Sequence, residues 1–451
     1  MNITGLVKGI LAAACILAAH AGTADAQNAS DQSSNTSSEQ SSPEGSGTQN
    51  KSSAKEASTA DAAKKTSTAD GKDKQEGASL DSASKPADDD KTGSTSGKRP
   101  GKLTVASWGG AYTEAQKRAY FSPFETKTGI SIAAVAHNGR FEALTGKDDG
   151  SASGWDIVDL DEITLEAGCR SGVLEKVETQ ILAASGDGET AKADFIEGSL
   201  HECGIPSVVW SSAIVYDKRA FEKAKPDAAS DFFDVKKFPG LRALPREPRY
   251  VVELALMADG VKPADVYDTL ATSEGLERAF KQLDRIADDI SWWHVPQQPI
   301  KLLENKQAAM AIAFNGRIFN AIVANSRPFE IIWDGQVFHL DYWAVPKTAP
   351  HKTASLDFIS FATRPDSMAR QASWFPYGPV RKSAVKLVGK HPEIDVNMAR
   401  FLPTSPDNFR QALKFDPAWW EKNGKRISDR YIAWMDTIDD PSSYEDEQNR
   451  P

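Results

Sequence analysis

Six residues, Ser107-Trp108-Gly109-Gly110-Ala111-Tyr112, combine two aromatic rings with two adjacent glycines. Glycine lets a backbone turn sharply and come close to another group, while tryptophan and tyrosine present broad apolar faces with polar edges. That combination suits the non-covalent holding of a small molecule, so Trp108, Gly109 and Tyr112 are candidate ligand contacts. A role in the core is the alternative for both rings.

Asp159 and Asp161 share one face if the chain there is extended. Such a pair suits either general acid/base hydrolysis or a cation, although two carboxylates are few for calcium. The 7 histidines are scattered, with neither H-E-x-x-H spacing nor a C-x-x-C partner for zinc, and no G-x-S-x-G elbow is present. No metal or cofactor is expected. A secreted hydrolase using Asp159 and Asp161 stands as the rival class to a binding protein, and a scaffold that has lost its ligand as a third.

The elements that must position these groups alternate. Lys102 to Ala106 is an apolar run, and Thr113 with Gln116 fits a capping box for a helix that runs to Gly129. Strand patterns follow at 130–136 and 154–160, then a helix at 162–172. Further strands are expected at 207–216, 242–245, 290–293, 308–314, 329–333 and 342–345. Helices are expected at 251–259, 273–288 and 316–324, and there is no internal repeat. The alternation implies α/β architecture with mainly parallel sheets flanked by helices. In such sheets ligands sit beyond the carboxyl ends of strands. The loops that belong there are 107–112, 159–162, 246–250, 314–317 and 341–343, and they are rich in aromatic, acidic and arginine side chains.

Before these elements, Lys8 and the apolar run 9–21 lead to Ala24-Asp25-Ala26, the pattern of a cleaved secretory signal over residues 1–26. Lipidation at Cys15 is a minor alternative. Residues 27–101 form a low-complexity spacer in which Leu80 is the sole large apolar side chain, so disorder is expected. Of 3 cysteines, Cys169 and Cys203 remain after cleavage, and in an oxidising compartment they are expected to pair. Two buried free thiols are the alternative. The net charge of -10 argues against general nucleic-acid binding.

An ordered set of motifs then carries a resemblance: W-G-G-A-Y at 108–112, F-S-P-F-E-T-K-T-G at 121–129, W-D-I-V at 155–158, C-G-I-P at 203–206, F-N-G at 314–316 and D-Y-W-A-V-P at 341–346. The region from 102 to 434 resembles the periplasmic spermidine/putrescine-binding proteins of bacterial ABC importers. The resemblance implies a two-lobed, hinged, type II-like periplasmic binding protein, each lobe a mostly parallel sheet flanked by helices. Lobe one would comprise 102–213 and 316–346, lobe two 214–315 and 347–436, with a polar tail at 437–451. It implies a monomer that captures a small amine and delivers it to an inner-membrane permease, without catalysis.

Carried onto this chain, the family's ligand contacts fall on Trp108, Tyr112, Asp161, Glu247, Phe314, Asn315, Asp341 and Tyr377. Two features depart from a polyamine site. Glu247 lies between Arg246 and Arg249, and Arg317 adds a cation near the hinge. These fit a ligand with a carboxylate as well as an amine, such as an omega-amino acid.

Overall fold

The computed structural model describes residues 100–145 and 154–438. The expected leader, most of the spacer, Cys15 and the tail beyond 438 lie outside the described residues.

Nine strands form the framework: β1 (Lys102–Ser107), β2 (Ser131–Ala136), β3 (Ile157–Asp161), β4 (Ile205–Asp217), β5 (Arg242–Pro245), β6 (Ile290–Trp293), β7 (Met310–Phe314), β8 (Phe329–Ala344) and β9 (Leu413–Lys414). They run in the order β2-β1-β3-β8-β4-β7-β5-β6, with β9 beside β8. At one end β1 pairs in parallel with β2 and β3, and at the other β5 pairs in parallel with β6 and β7. The two parallel groups are joined through β4 and β8, which run antiparallel to each other. This is the expected α/β architecture, a mixed sheet with flanking helices.

Separate cores flank the joining strands. Leu103, Val105, Ile157, Leu165, Ile205, Val209, Trp343 and Phe358 belong to one. Ile214, Leu244, Leu254, Phe280, Ile312, Ile332 and Tyr431 belong to another. The change of core falls where the β4–β8 register slips, between Ser212 and Ile214. There Gly335 takes φ 78, and a Cβ on it would meet Leu254 Cδ1 at 2.7 Å. Only glycine carries the strand through that bend without strain.

Several expectations need correction. The strands expected at 329–333 and 342–345 are one strand, β8; Asp334-Gly335-Gln336 reads as a turn but forms a bulge held by the neighbouring core. Thr113 does not cap a helix: the helix Gly110–Gln116 begins after Gly109, at φ 80. The amphipathic helix expected to reach 288 ends at Leu283 and continues as a tighter turn. Asp341 lies within β8, not in a loop. Phe358, Ile359, Met368, Val380 and Ala384 pack with β1 and β3, whereas Ile318, Ala321 and Phe329 pack beside β7. Short connections dock these helices onto whichever sheet end they leave, a choice their own sequence does not encode.

Candidate ligand-binding site

Side chains alternate along a strand, so β3 sends Asp159 and Asp161 to one face. The antiparallel neighbour β8 sets Asp341 directly opposite Asp161. Asp159 is fully buried and Asp341 nearly so. Asp161 caps the helix Glu162–Arg170, its carboxylate accepting from the Thr164 amide at 2.7 Å, which satisfies one of the free donors of the first helical turn.

The opening loop is knitted to these acids from behind. Ser107 Oγ shares a 2.8 Å hydrogen bond with Thr113 Oγ1 and donates to Gln116 Oε1 at 2.6 Å. Three groups donate to the Asp159 carboxylate: Gln116 Nε2 at 2.7 Å, the Tyr112 hydroxyl at 2.8 Å and Ser207 Oγ at 3.3 Å. Burial pushes the Asp159 carboxyl above the usual carboxylate range, opposed by these three donors. Asp341 is pushed well above it, first by burial and then by the Asp159 charge, with the Trp210 indole donating at 3.0 Å in opposition. Asp161 is also raised by burial. Among the described residues, no lysine or arginine pairs with any of the three.

Aromatic rings gather on both sides of Asp341. On one side Tyr112, Phe375 and Tyr377 lie with centroids 4.7 to 5.7 Å apart. On the other, Phe314 meets Trp210 edge-on at 5.6 Å and Tyr250 at 5.7 Å. Trp210 stacks on His339 at 4.0 Å, and His339 in turn on Phe415 at 4.4 Å. Rings around carboxylates are what an organic ammonium needs, a cation–π face beside a counter-charge.

Arg317 follows Phe314 by three residues and lies near Tyr377, and desolvation lowers the arginine's pKa. It is solvent-exposed, and it has no hydrogen bond or ion pair among the described residues. Glu247 behaves alike: 51 % of its side chain is exposed while burial of its neighbourhood raises its pKa. Of the arginines beside Glu247, Arg246 lies over the Trp292 ring, while Arg249 lies over Trp420 and pairs with Glu247 at 3.9 Å.

Of the residues expected in the site, the structure brings together Tyr112, Asp161, Phe314, Asp341 and Tyr377. Trp108 and Gly109 stand beside them: the Trp108 ring packs on His137 at 4.7 Å and over Gly139. Glu247 is reached through Tyr250. Asn315 is buried and bonded to the chain at both ends of its amide, its Oδ1 accepting from the Ser211 amide at 3.0 Å and its Nδ2 donating to the Pro376 carbonyl at 2.7 Å. It therefore braces the site. Trp210, Tyr250 and His339 are not among the expected contacts: Trp210 reads as part of an ordinary apolar run, His339 falls between two expected strands, and Tyr250 lies in the loop 246–250 without being singled out. Asp159 was foreseen only as half of a carboxylate pair.

Residues 119–400 match the family model described as bacterial extracellular solute-binding protein. The chain belongs to that family. This solute-binding protein is 36 % identical over 332 residues to the gamma-aminobutyric acid-binding protein of Pseudomonas aeruginosa, spanning 74 % of this chain and 90 % of the relative. It is 21 % identical over 290 residues to the spermidine/putrescine-binding periplasmic protein of Escherichia coli, spanning 63 % of this chain and 79 % of the relative. An ABC transporter substrate-binding protein from Bradyrhizobium japonicum superposes with TM-score 0.61 at 28 % identity, covering 74 % of this chain and 99 % of that one. The chain is thus the solute-binding component of an ABC transporter, as the motif set implied, and its relatives are binding proteins.

The cysteines of this solute-binding protein are paired as well. Cys169 and Cys203 form a disulfide with Cα atoms 5.7 Å apart, within the ordinary span for such a bond. It ties the helix after β3 to the entry of β4. No helix among the described residues is long and apolar enough to cross a membrane.

Proposed function

We propose that the cleft captures a small zwitterion of the omega-amino acid class, with gamma-aminobutyrate as the first candidate. Its ammonium lies against Asp341 and Asp161 among the Tyr112, Tyr377, Trp210 and Phe314 rings, and its carboxylate meets Arg317. The observation that carries this reading is that Tyr377 neighbours both the Arg317 guanidinium, which has no hydrogen bond or ion pair among the described residues, and the Asp341 carboxyl, which has no cation partner there. A diamine has no use for a guanidinium, whereas a planar fork of donors matches a carboxylate. The Pseudomonas relative, named for gamma-aminobutyric acid, supports the same class.

Polyamine capture is the second reading, favoured by three acids against one arginine and by the Escherichia relative. In either case the protein works without turnover in the periplasm, as a monomer that closes about the β4–β8 slip and docks on an inner-membrane permease. A thermal-shift series separates the ligands. Gamma-aminobutyrate at a hundred times its dissociation constant stabilises by about 2.7 kcal/mol, and Arg317→Met removes that shift without lowering the melting point of the empty protein. Stabilisation by putrescine alone, retained in the variant, would refute the zwitterion reading.

A further inference from the structure

Asp159 and Asp341 are buried carboxylates on one face of adjacent antiparallel strands. They stand in the diagonal relation, in which such neighbours lie within reach of each other. The groups facing Asp159 are the Tyr112 hydroxyl and Gln116 amide from the first helix, Tyr120 from the turn after it, and Ser207 from β4. The His137 ring bonds only its backbone carbonyl. Facing Asp341 are the Trp210 indole, the Tyr112 and Tyr377 hydroxyls, Asp159 and Asp161. The cations of this region stand behind those rings, Arg370 beyond Tyr120 and Arg317 beside Tyr377. Every direct neighbour is neutral or acidic.

Two desolvated carboxylates this close, with no counter-ion, do not both stay ionised. Three donors face Asp159 and one faces Asp341, so the negative charge is better satisfied on Asp159 and the proton on Asp341. We propose that the empty protein stores one proton on this carboxylate pair and that an ammonium entering beside Asp341 displaces it to solvent. Capture of a cationic group and release of a proton are then a single event. The proposal rests on the reading of the cleft as an ammonium site.

The test has two arms. Isothermal titration of the mature full chain with gamma-aminobutyrate, in buffers of different ionisation heat, counts protons directly. Near one proton is released per ligand below the raised pKa of the pair, where affinity weakens about tenfold per pH unit, and release vanishes above it. Binding without proton release at every pH overturns the proposal. The second arm needs no ligand: carbon-13 spectra of aspartate carboxyls in the empty protein show one group titrating well above the ordinary aspartate range, and Asp341→Asn, an isostere of the protonated acid, removes it. If all aspartates titrate in the ordinary acidic range, the stored proton does not exist. Should gamma-aminobutyrate fail to bind, the zwitterion reading fails and the carboxyl titration decides this proposal independently.

Discussion

Asn315 and Pro376, 61 residues apart, are joined by a buried hydrogen bond from the amide Nδ2 to the carbonyl oxygen at 2.7 Å. Asn315 sits at the end of β7 and Pro376 between Phe375 and Tyr377, so this bond fixes the ring pair beside Asp341 against the opposite group of strands. The second bond of the same side chain, from the Ser211 amide at 3.0 Å, anchors it to the strand that crosses between the cores.

Replacing Asn315 by alanine strands one buried donor and one buried acceptor. The expected cost is about 2 to 4 kcal/mol, read by urea denaturation, together with weaker ligand binding because Phe375 and Tyr377 lose their tether. Unchanged stability would show that the brace is dispensable.

The Trp108 ring covers Gly139 so closely that a Cβ there would lie 2.6 Å from Cζ3, at a backbone φ of +74. Gly139→Ala is expected to destabilise by roughly 1 to 3 kcal/mol through overpacking and strain. Against a Trp108→Ala background the steric part disappears, so the two costs should be non-additive by more than ~0.5 kcal/mol. Strict additivity in a double-mutant cycle would place the Trp108 ring elsewhere.

Glu253 is fully buried, with one oxygen accepting from the Trp420 indole at 2.8 Å and the other unpartnered. Burial raises its carboxyl to about 7. The folded state therefore binds this proton more tightly than the unfolded chain does. Its contribution to stability is complete at low pH and lost as pH rises through about 7. Glu253→Gln should gain up to ~3 kcal/mol over the wild type at alkaline pH and nothing in acid, as measured by melting curves across pH. An equal difference at all pH values would rule out the buried proton.

The Cys169–Cys203 bond closes a segment of 34 residues. Chain entropy puts the stabilisation at about 3 to 4 kcal/mol for a loop of that length. The double Cys169→Ser, Cys203→Ser variant should lose that amount in denaturant titrations yet retain ligand binding, since the pair stands apart from the rings around Asp341. Loss of binding in a variant that remains folded would tie the bond to the cleft.

Much of this molecule was legible in the amino-acid order alone. Strand periodicity located β5 and β6 to the residue, because their apolar runs end at Gly, Pro or charged turns that no tertiary contact overrides. The aromatic, acidic and arginine residues at strand ends pointed to a solute cleft, since the carboxyl ends of parallel strands leave concavities that only loops can fill. The order of the motifs fixed the family.

Tertiary structure decided what depends on distant partners. Thr113 and Gln116 look like a helix cap locally, but Ser107 and Asp159, brought close by sheet pairing, claim their side chains. Asn315 looks like a ligand contact in its motif, and only the fold shows that Ser211 and Pro376 arrive on either side of it, so that it also braces the site. The unity of β8 through Gly335 comes from the core beneath it. The pairing of β3 with β8 sets Asp161 against Asp341, two acids far apart along the chain. Periodicity places an acid on a face, and only the register between strands says which other acid shares it.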